Sequence, residues 1–112
     1  MTDRLFESVG EVVAARLLQR HDLAGGPCDV TILLGKPVTL PGDTCWLCPY
    51  QIVGVGSERV KAARGADGIQ AVQNAERMIG ADLFYFRERL SGALTWPLAD
   101  SKELGFAEAD TT

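Results

Sequence analysis

The stretch that decides the fold runs from Asp67 to Leu90 and reads DGIQAVQNAERMIGADLFYFRERL. Asp67 is a favourable N-cap residue, and Gln70 follows three positions later, as in a capping box. One stripe of apolar residues then recurs at spacings of three or four, comprising Ile69, Val72, Ala75, Ile79, Leu83, Phe86 and Leu90. The stretch therefore predicts one long amphipathic helix that packs against another layer.

Strands are predicted before this helix. The β-branched run 29–34 is bounded by turn residues on both sides. The segment 45–55 is a further strand, whose alternation places Trp46, Cys48, Tyr50 and Ile52 on one face. Pro49 cannot donate to a ladder, so it requires an edge, a bulge or an unpaired position.

Two segments are ambiguous from their pattern alone. Residues 11–20 fit both helical and strand spacing. Residues 57–64 fit either a fourth strand or one turn of helix. The expected fold is α+β: a three- to four-stranded antiparallel β-meander followed by one long amphipathic helix packed on one face. Residues 1–112 form a single domain with an ordered core of about 10–106 and loose termini.

Composition and charge limit the partners and the compartment that are expected for this chain. The 112-residue chain carries a formal net charge of −4, which opposes non-specific binding to nucleic acid or anionic membranes. No apolar run reaches the length of a membrane span, and Asp3 and Glu7 stand where a signal peptide is basic. Three cysteines, an odd number, indicate free thiols in a reducing compartment. We therefore expect a cytoplasmic protein without nucleic-acid or membrane partners.

Several short motifs together resemble a known family. They are Trp46-Leu-Cys-Pro-Tyr-Gln-Ile52, Gly54-Val-Gly56, Gly65-Ala-Asp67, Leu94-Thr-Trp96 and Leu104-Gly-Phe106. The set, over about residues 12–106, resembles short bacterial proteins of an uncharacterised domain-of-unknown-function family. The resemblance implies a strand at residues 12–20 and no activity. Cys28 and Cys45 lie outside the family pattern, so a cysteine site would not be a family property.

The cysteines and the single histidine are the candidates for chemistry. His21, Cys28, Cys45 and Cys48 supply the four ligands of a structural zinc site. However, residues three apart on a strand point to opposite faces, and the thiols are equally explained as small buried hydrophobes. We therefore expect no cofactor, with zinc as the alternative. A small enzyme that uses Cys45 or Cys48 with His21 is the alternative function.

The predicted sheet has more apolar surface than one helix can cover. Part of the surplus is expected to be covered by Trp96 and Phe106 from the tail. The remainder predicts an interaction surface that comprises Leu33, Leu47, Val53 and Val55. The expected function is a non-catalytic interaction module, of the immunity, inhibitor or adaptor type, that binds a protein partner or forms a homodimer through this face or a sheet edge. A ligand pocket near Trp46 and Tyr50 is a further alternative. The residues expected to be structural are Trp46, Cys48, Pro49, Tyr50, Asp67 and Gln70.

Overall fold

The computed structural model of the chain describes residues 6–22, 26–55, 58–89, 93–99 and 104–106. These residues form an antiparallel sheet of six strands and one α-helix. The elements are β1 (Val12–Asp22), β2 (Gly26–Gly35), β3 (Val38–Thr39), β4 (Trp46–Val53), β5 (Lys61–Gly65), α1 (Gly68–Arg89) and β6 (Ala93–Thr95), followed by a 3-10 turn at Pro97–Ala99. The expected α+β class is confirmed, but the sheet has six strands and not three or four.

Strand pairing fixes the order of the sheet. β1 pairs with β2, β2 with β4, and β4 with β5, so these four strands form the expected meander. Tyr50 pairs with both Leu34 and Lys61, which places β2 and β5 on opposite edges of β4. The two extra strands are short: β3 pairs with the start of β4, and β6 pairs with β1.

The structure resolves the first ambiguous segment as a strand and the second as a strand in its second half. β1 pairs with β2 from Val12 to Asp22, with a bulge between Val12 and Ala14. Leu18 and Val30 lie opposite each other in this ladder and are both fully buried. Long-range pairing thus decides between two patterns that local spacing leaves equal. Of the segment 57–64, residues 61–64 belong to β5, residues 58–60 are irregular, and Ser57 lies outside the described residues.

Pro49 lies within β4 and is buried. On one side it is opposite Ala62 of β5. On the other side, the ladder to β2 ends at Tyr50 and the ladder to β3 begins at Leu47, so Pro49 lies in the gap between them. The sequence-based requirement for an unpaired position is therefore met on that side.

The helix begins as predicted. The Asp67 carboxylate accepts a hydrogen bond from the Gln70 backbone N–H at 2.8 Å, and the Gln70 side chain accepts one from the Ala66 N–H at 2.7 Å. The buried stripe is Ala71, Ala75, Ile79 and Leu83, with Val72 and Phe86 at its margins. Ile69 was placed in the stripe by its spacing, but it is 72% exposed, because the stripe begins two residues later. Leu90 lies outside the described residues.

Close approach between α1 and β5 depends on Gly65. A Cβ atom at Gly65 would lie 2.7 Å from the Gln70 carbonyl carbon and 2.8 Å from the Ala71 Cα. A side chain at this position would therefore push the first turn of α1 off the sheet.

The tail packs on the same face of the sheet as α1. Leu94 and Leu104 are buried in the cluster that contains Ile79 and Leu83, and Trp96 and Phe106 pack against that cluster. The prediction that the tail folds back is confirmed. The prediction that it covers apolar surface beyond the reach of the helix is corrected in part: the described tail residues Leu94, Trp96, Leu104 and Phe106 extend the layer formed by α1.

Candidate functional site

The outer backbone edge of β1 is the most accessible apolar feature of the sheet. β6 pairs with Gln19, Arg20 and His21, and the 3-10 turn at Pro97–Ala99 packs against β1 beyond it; within the described residues no strand pairs with the outer edge of residues 12–18, hereafter the β1 edge. Val12, Val13 and Leu17 are 45%, 50% and 43% exposed. An unpaired edge with apolar side chains is a ready template for an additional strand.

The face of the sheet that is turned away from α1, hereafter the far face, continues this apolar surface. Alternation and register place Ala15, Leu33 and Gln51 in one row, and Leu17, Thr31 and Val53 in the next. Leu33 and Val53 are half-buried. Both can therefore contribute to a partner surface, as the sequence predicts.

Leu47 and Val55 do not contribute to that surface. Leu47 is 1% exposed, and Val55 is 8% exposed within the main core cluster. A Cβ at Gly35 would lie 3.0 Å from the Pro49 ring and would clash with the Val9 carbonyl oxygen, so the segment before β1 covers this end of the far face. Both residues belong to the folded monomer, which corrects their placement in the interaction set.

A cavity of about 100 Å³ lies beneath the β1 edge, between the sheet and the helix. Its lining comprises Ala14, Ala15 and Arg16 of β1, Ile32 and Leu34 of β2, Glu76 and Ile79 of α1, and Phe106 of the tail. Ala14 and Ala15 are neighbours on a strand, so their side chains point to opposite faces. Both line the same cavity, which means that the cavity reaches the β1 backbone itself. We call this space the corner cavity.

Arg16 closes one end of the corner cavity. Its Nη1 donates a hydrogen bond to the Leu104 carbonyl oxygen at 2.9 Å. Its Cζ lies 3.7 Å from the centroid of the Trp96 ring and 4.8 Å from that of Phe106. One charged donor with two aromatic neighbours thus fastens the tail to β1. Residue spacing alone does not reveal this contact, although an arginine inside the apolar run of β1 is a signal for it.

A second polar link joins the sheet to the helix. The Tyr50 hydroxyl donates to Asp82 Oδ2 at 2.7 Å, and Lys61 Nζ lies 3.1 Å from the same oxygen. Burial, then the Asp82 carboxylate that accepts from its hydroxyl, raise the pKa of Tyr50 well above its ordinary range. The phenol therefore stays protonated and acts as a donor. This link supports the structural role predicted for Tyr50.

The predicted zinc ligands do not converge. Cys28 pairs with Arg20 near the β1–β2 turn, beside His21. Leu34 pairs with Tyr50, which places Cys48 eight residue positions from Cys28 along the sheet. At about 3.3 Å per residue this separation is about 26 Å. Within the described ranges, no group of three or more His, Cys, Asp or Glu side chains could hold a metal ion.

The three thiols are free and occupy different environments. Cys28 is exposed, Cys45 is half-buried, and Cys48 is buried. The Cys48 thiol donates to the Gly35 carbonyl oxygen at 3.4 Å. Burial, with a smaller contribution from the negative charge of Glu76, raises the pKa of Cys48 to about 11. A protonated, enclosed thiol is a poor nucleophile, and His21 lies at the other end of the sheet.

A second exposed apolar patch lies at the start of α1. It comprises Pro37, Gly68, Ile69 and Val72, and Trp46 is adjacent to Gly68 and 37% exposed. Trp46 therefore lies at the margin of the core, beside this open patch, and a small cavity of about 40 Å³ lies beside Tyr50. This patch presents side chains alone, whereas the β1 edge also presents backbone donors and acceptors.

Comparisons with known proteins place the chain in a family but give no activity. A family model described as a domain of unknown function (DUF6968) matches residues 14–108. No curated protein and no solved structure gives a significant match. No helix among the described residues is long and apolar enough to cross a membrane.

Proposed function

Because the chain belongs to the DUF6968 family of unknown function, its role must be inferred from its own surface, and we propose that it is a cytosolic, bacterial protein-interaction module. It binds by strand addition: a segment of a partner protein pairs with the β1 edge and packs on the adjoining far face. A second copy of the chain would use the same edge, because an antiparallel strand pair is self-complementary about a two-fold axis. An immunity, inhibitor or adaptor role is compatible with this mode of binding.

The observation that carries the proposal is the β1 edge, which no strand of the described structure pairs with and which carries exposed apolar side chains. Long, apolar edges are aggregation hazards, and charged side chains commonly protect them. Within residues 12–18 the only charged residue is Arg16, and its guanidinium is engaged with the tail. The charge of Arg16 is therefore turned toward the tail, and the bulge between Val12 and Ala14 leaves residues 14–18 as the regular part of the edge. The free cysteines fit a reducing compartment such as the cytosol.

Site-specific photo-crosslinking in cells that produce the protein tests this proposal. A photoreactive amino acid is placed at Leu17 on the edge and, as a matched control, at Ile69 in the patch at the start of α1. We expect one discrete adduct from position 17 and none from position 69. Mass spectrometry of the adduct distinguishes a second copy from another protein.

A companion variant distinguishes strand pairing at the β1 edge from non-specific association of apolar surface. Val13→Lys places a charge on the edge, so it should abolish the adduct formed from position 17 while the melting temperature stays close to that of the wild type. Absence of an adduct at position 17, or equal adducts at both positions, would contradict the proposal.

A further inference from the structure

The face of the sheet that carries α1 is unequally covered. α1 packs mainly on β4 and β5, and the tail residues Leu94 and Leu104 complete the core near Leu18 and Val30. The corner formed by Ala14 and Leu34 lies beyond both: Ala14 is exposed and Leu34 is half-buried. Among the residues that the structure describes, the corner cavity is therefore where this layer of the fold is incomplete.

A strand added at the β1 edge would bring side chains to this corner. Side chains of a strand alternate between the two faces of a sheet, so every second residue of the added strand points to the side of α1. A residue opposite Ala14 would stand beside a small methyl group and above the corner cavity. The small size of Ala14 leaves the entrance to the cavity open from the edge.

The volume of the cavity sets the size of the side chain. An apolar cavity of about 150 Å³ holds a benzene molecule. The corner cavity measures about 100 Å³ and is lined by the aliphatic residues Ile32, Leu34 and Ile79. Its size and aliphatic lining therefore suit a branched aliphatic side chain.

Charge sets a second preference. The cavity is lined by one cation, Arg16, and one anion, Glu76. Arg16 is engaged with the Leu104 carbonyl and two rings, whereas within the described structure no cation forms an ion pair with the exposed Glu76. The whole chain also carries a net charge of −4. The mouth of the cavity therefore favours a basic residue.

We infer that the partner segment is an extended peptide with Leu, Ile or Val in the corner cavity and Lys or Arg two positions away, beside Glu76. The i, i+2 spacing puts both side chains on the same face of the added strand, about 7 Å apart. This inference rests on the proposed function, because it requires that the β1 edge accepts a strand.

Selection from a random nine-residue peptide library displayed on phage tests the inference without a known partner. The wild-type protein is the target, and Val13→Lys is the counter-target that removes peptides bound elsewhere. We expect enriched peptides to share a branched aliphatic residue and a basic residue two positions apart. Enrichment of a different pattern would overturn this inference and leave the proposed function standing. No enrichment over the counter-target would overturn both.

The selected peptide then provides a quantitative check by NMR titration of the labelled protein. Replacing its aliphatic residue by Ala should weaken binding about ten- to hundredfold, because that side chain loses its buried site. Glu76→Gln should weaken binding about two- to fivefold, and the effect should vanish for a peptide whose basic residue is replaced by Gln. Equal affinity after either the Ala replacement or Glu76→Gln would overturn the assignment of that contact.

Discussion

Removal of the Arg16 guanidinium is a sharp test of how the tail is fastened to β1. Arg16→Met keeps an unbranched side chain of similar reach but removes the charge and the donor to the Leu104 carbonyl. A hydrogen bond from a charged donor contributes about 1.5–3 kcal/mol, and each partly exposed cation–π contact about 0.5–1 kcal/mol. The methionine retains some contact with the rings of Trp96 and Phe106, which offsets part of this loss. We expect the free energy of unfolding to fall by about 2–3 kcal/mol.

Urea denaturation followed by circular dichroism measures this loss, and tryptophan fluorescence in a Trp46→Phe background reports on Trp96 alone. Arg64→Met is the matched control, because Arg64 is an exposed β-strand arginine that lies 3.7 Å from Asp43. Its replacement should cost less than about 1 kcal/mol. Equal losses for the two variants, or unchanged Trp96 emission in Arg16→Met, would refute the proposed fastening of the tail.

Three further predictions concern the core. The pKa of Cys48 is about 11 in the folded protein, against an ordinary value of 9.0, so the unfolded chain loses this proton first. The free energy of unfolding should therefore fall as the pH rises through this interval. Between pH 8 and 10.5 the wild type should lose about 2 kcal/mol more than Cys48→Ser in urea denaturation, and parallel losses would contradict the buried thiol. Tyr50→Phe removes the donor to Asp82 and should cost about 1–2 kcal/mol, because Lys61 and solvent still stabilise that carboxylate. Lys61→Met removes the more exposed of the two partners of Asp82 and should lower the free energy of unfolding by less than about 1 kcal/mol. A larger loss for Lys61→Met than for Tyr50→Phe would contradict the link. Gly65→Ala should cost about 2 kcal/mol or more through its clash with the first turn of α1, measured by thermal denaturation. Gly68→Ala, whose Cβ would meet only ordinary contacts at 3.7 Å, should be neutral or stabilising by up to about 1 kcal/mol. A similar loss of stability in both glycine variants would contradict the packing described.

Local chemistry explains the parts of the fold that the sequence predicts well. The Asp67 cap depends on residues within one turn, and the face of Tyr50 depends on strict alternation along β4. The requirement that Pro49 creates is also local, since it follows from the missing N–H. Each of these features is visible in a few consecutive residues.

The features that the sequence did not reveal depend on distant partners. β1 has two acceptable local patterns, and pairing with β2 selects one of them. Ile69 has the correct helical spacing, yet only the sheet determines that the buried stripe begins at Ala71. Likewise, Leu47 and Leu33 lie on the same face of the sheet. Leu47 is buried because the segment before β1 covers that end of the face, whereas Leu33 remains accessible.

The candidate site combines a predictable part and an unpredictable part. Excess apolar residues in the strands indicated a partner surface, and Leu33 and Val53 remain available for one. The corner cavity could not be anticipated, because Ala14, Ile79 and Phe106 meet only in the folded chain. The path of the tail decides where the covering layer ends, and the spacing of residues does not encode that path.

Amide hydrogen exchange along β1 tests directly whether the β1 edge is free to accept a strand. The purified protein is measured by NMR at a concentration where native mass spectrometry shows a bare monomer. A free edge predicts alternation within residues 12–18: amides bonded to β2 are protected, and outward amides exchange rapidly until a partner strand or a second copy binds. Protection of all these amides in the bare monomer would show that the chain itself covers the β1 edge, and would contradict binding by strand addition.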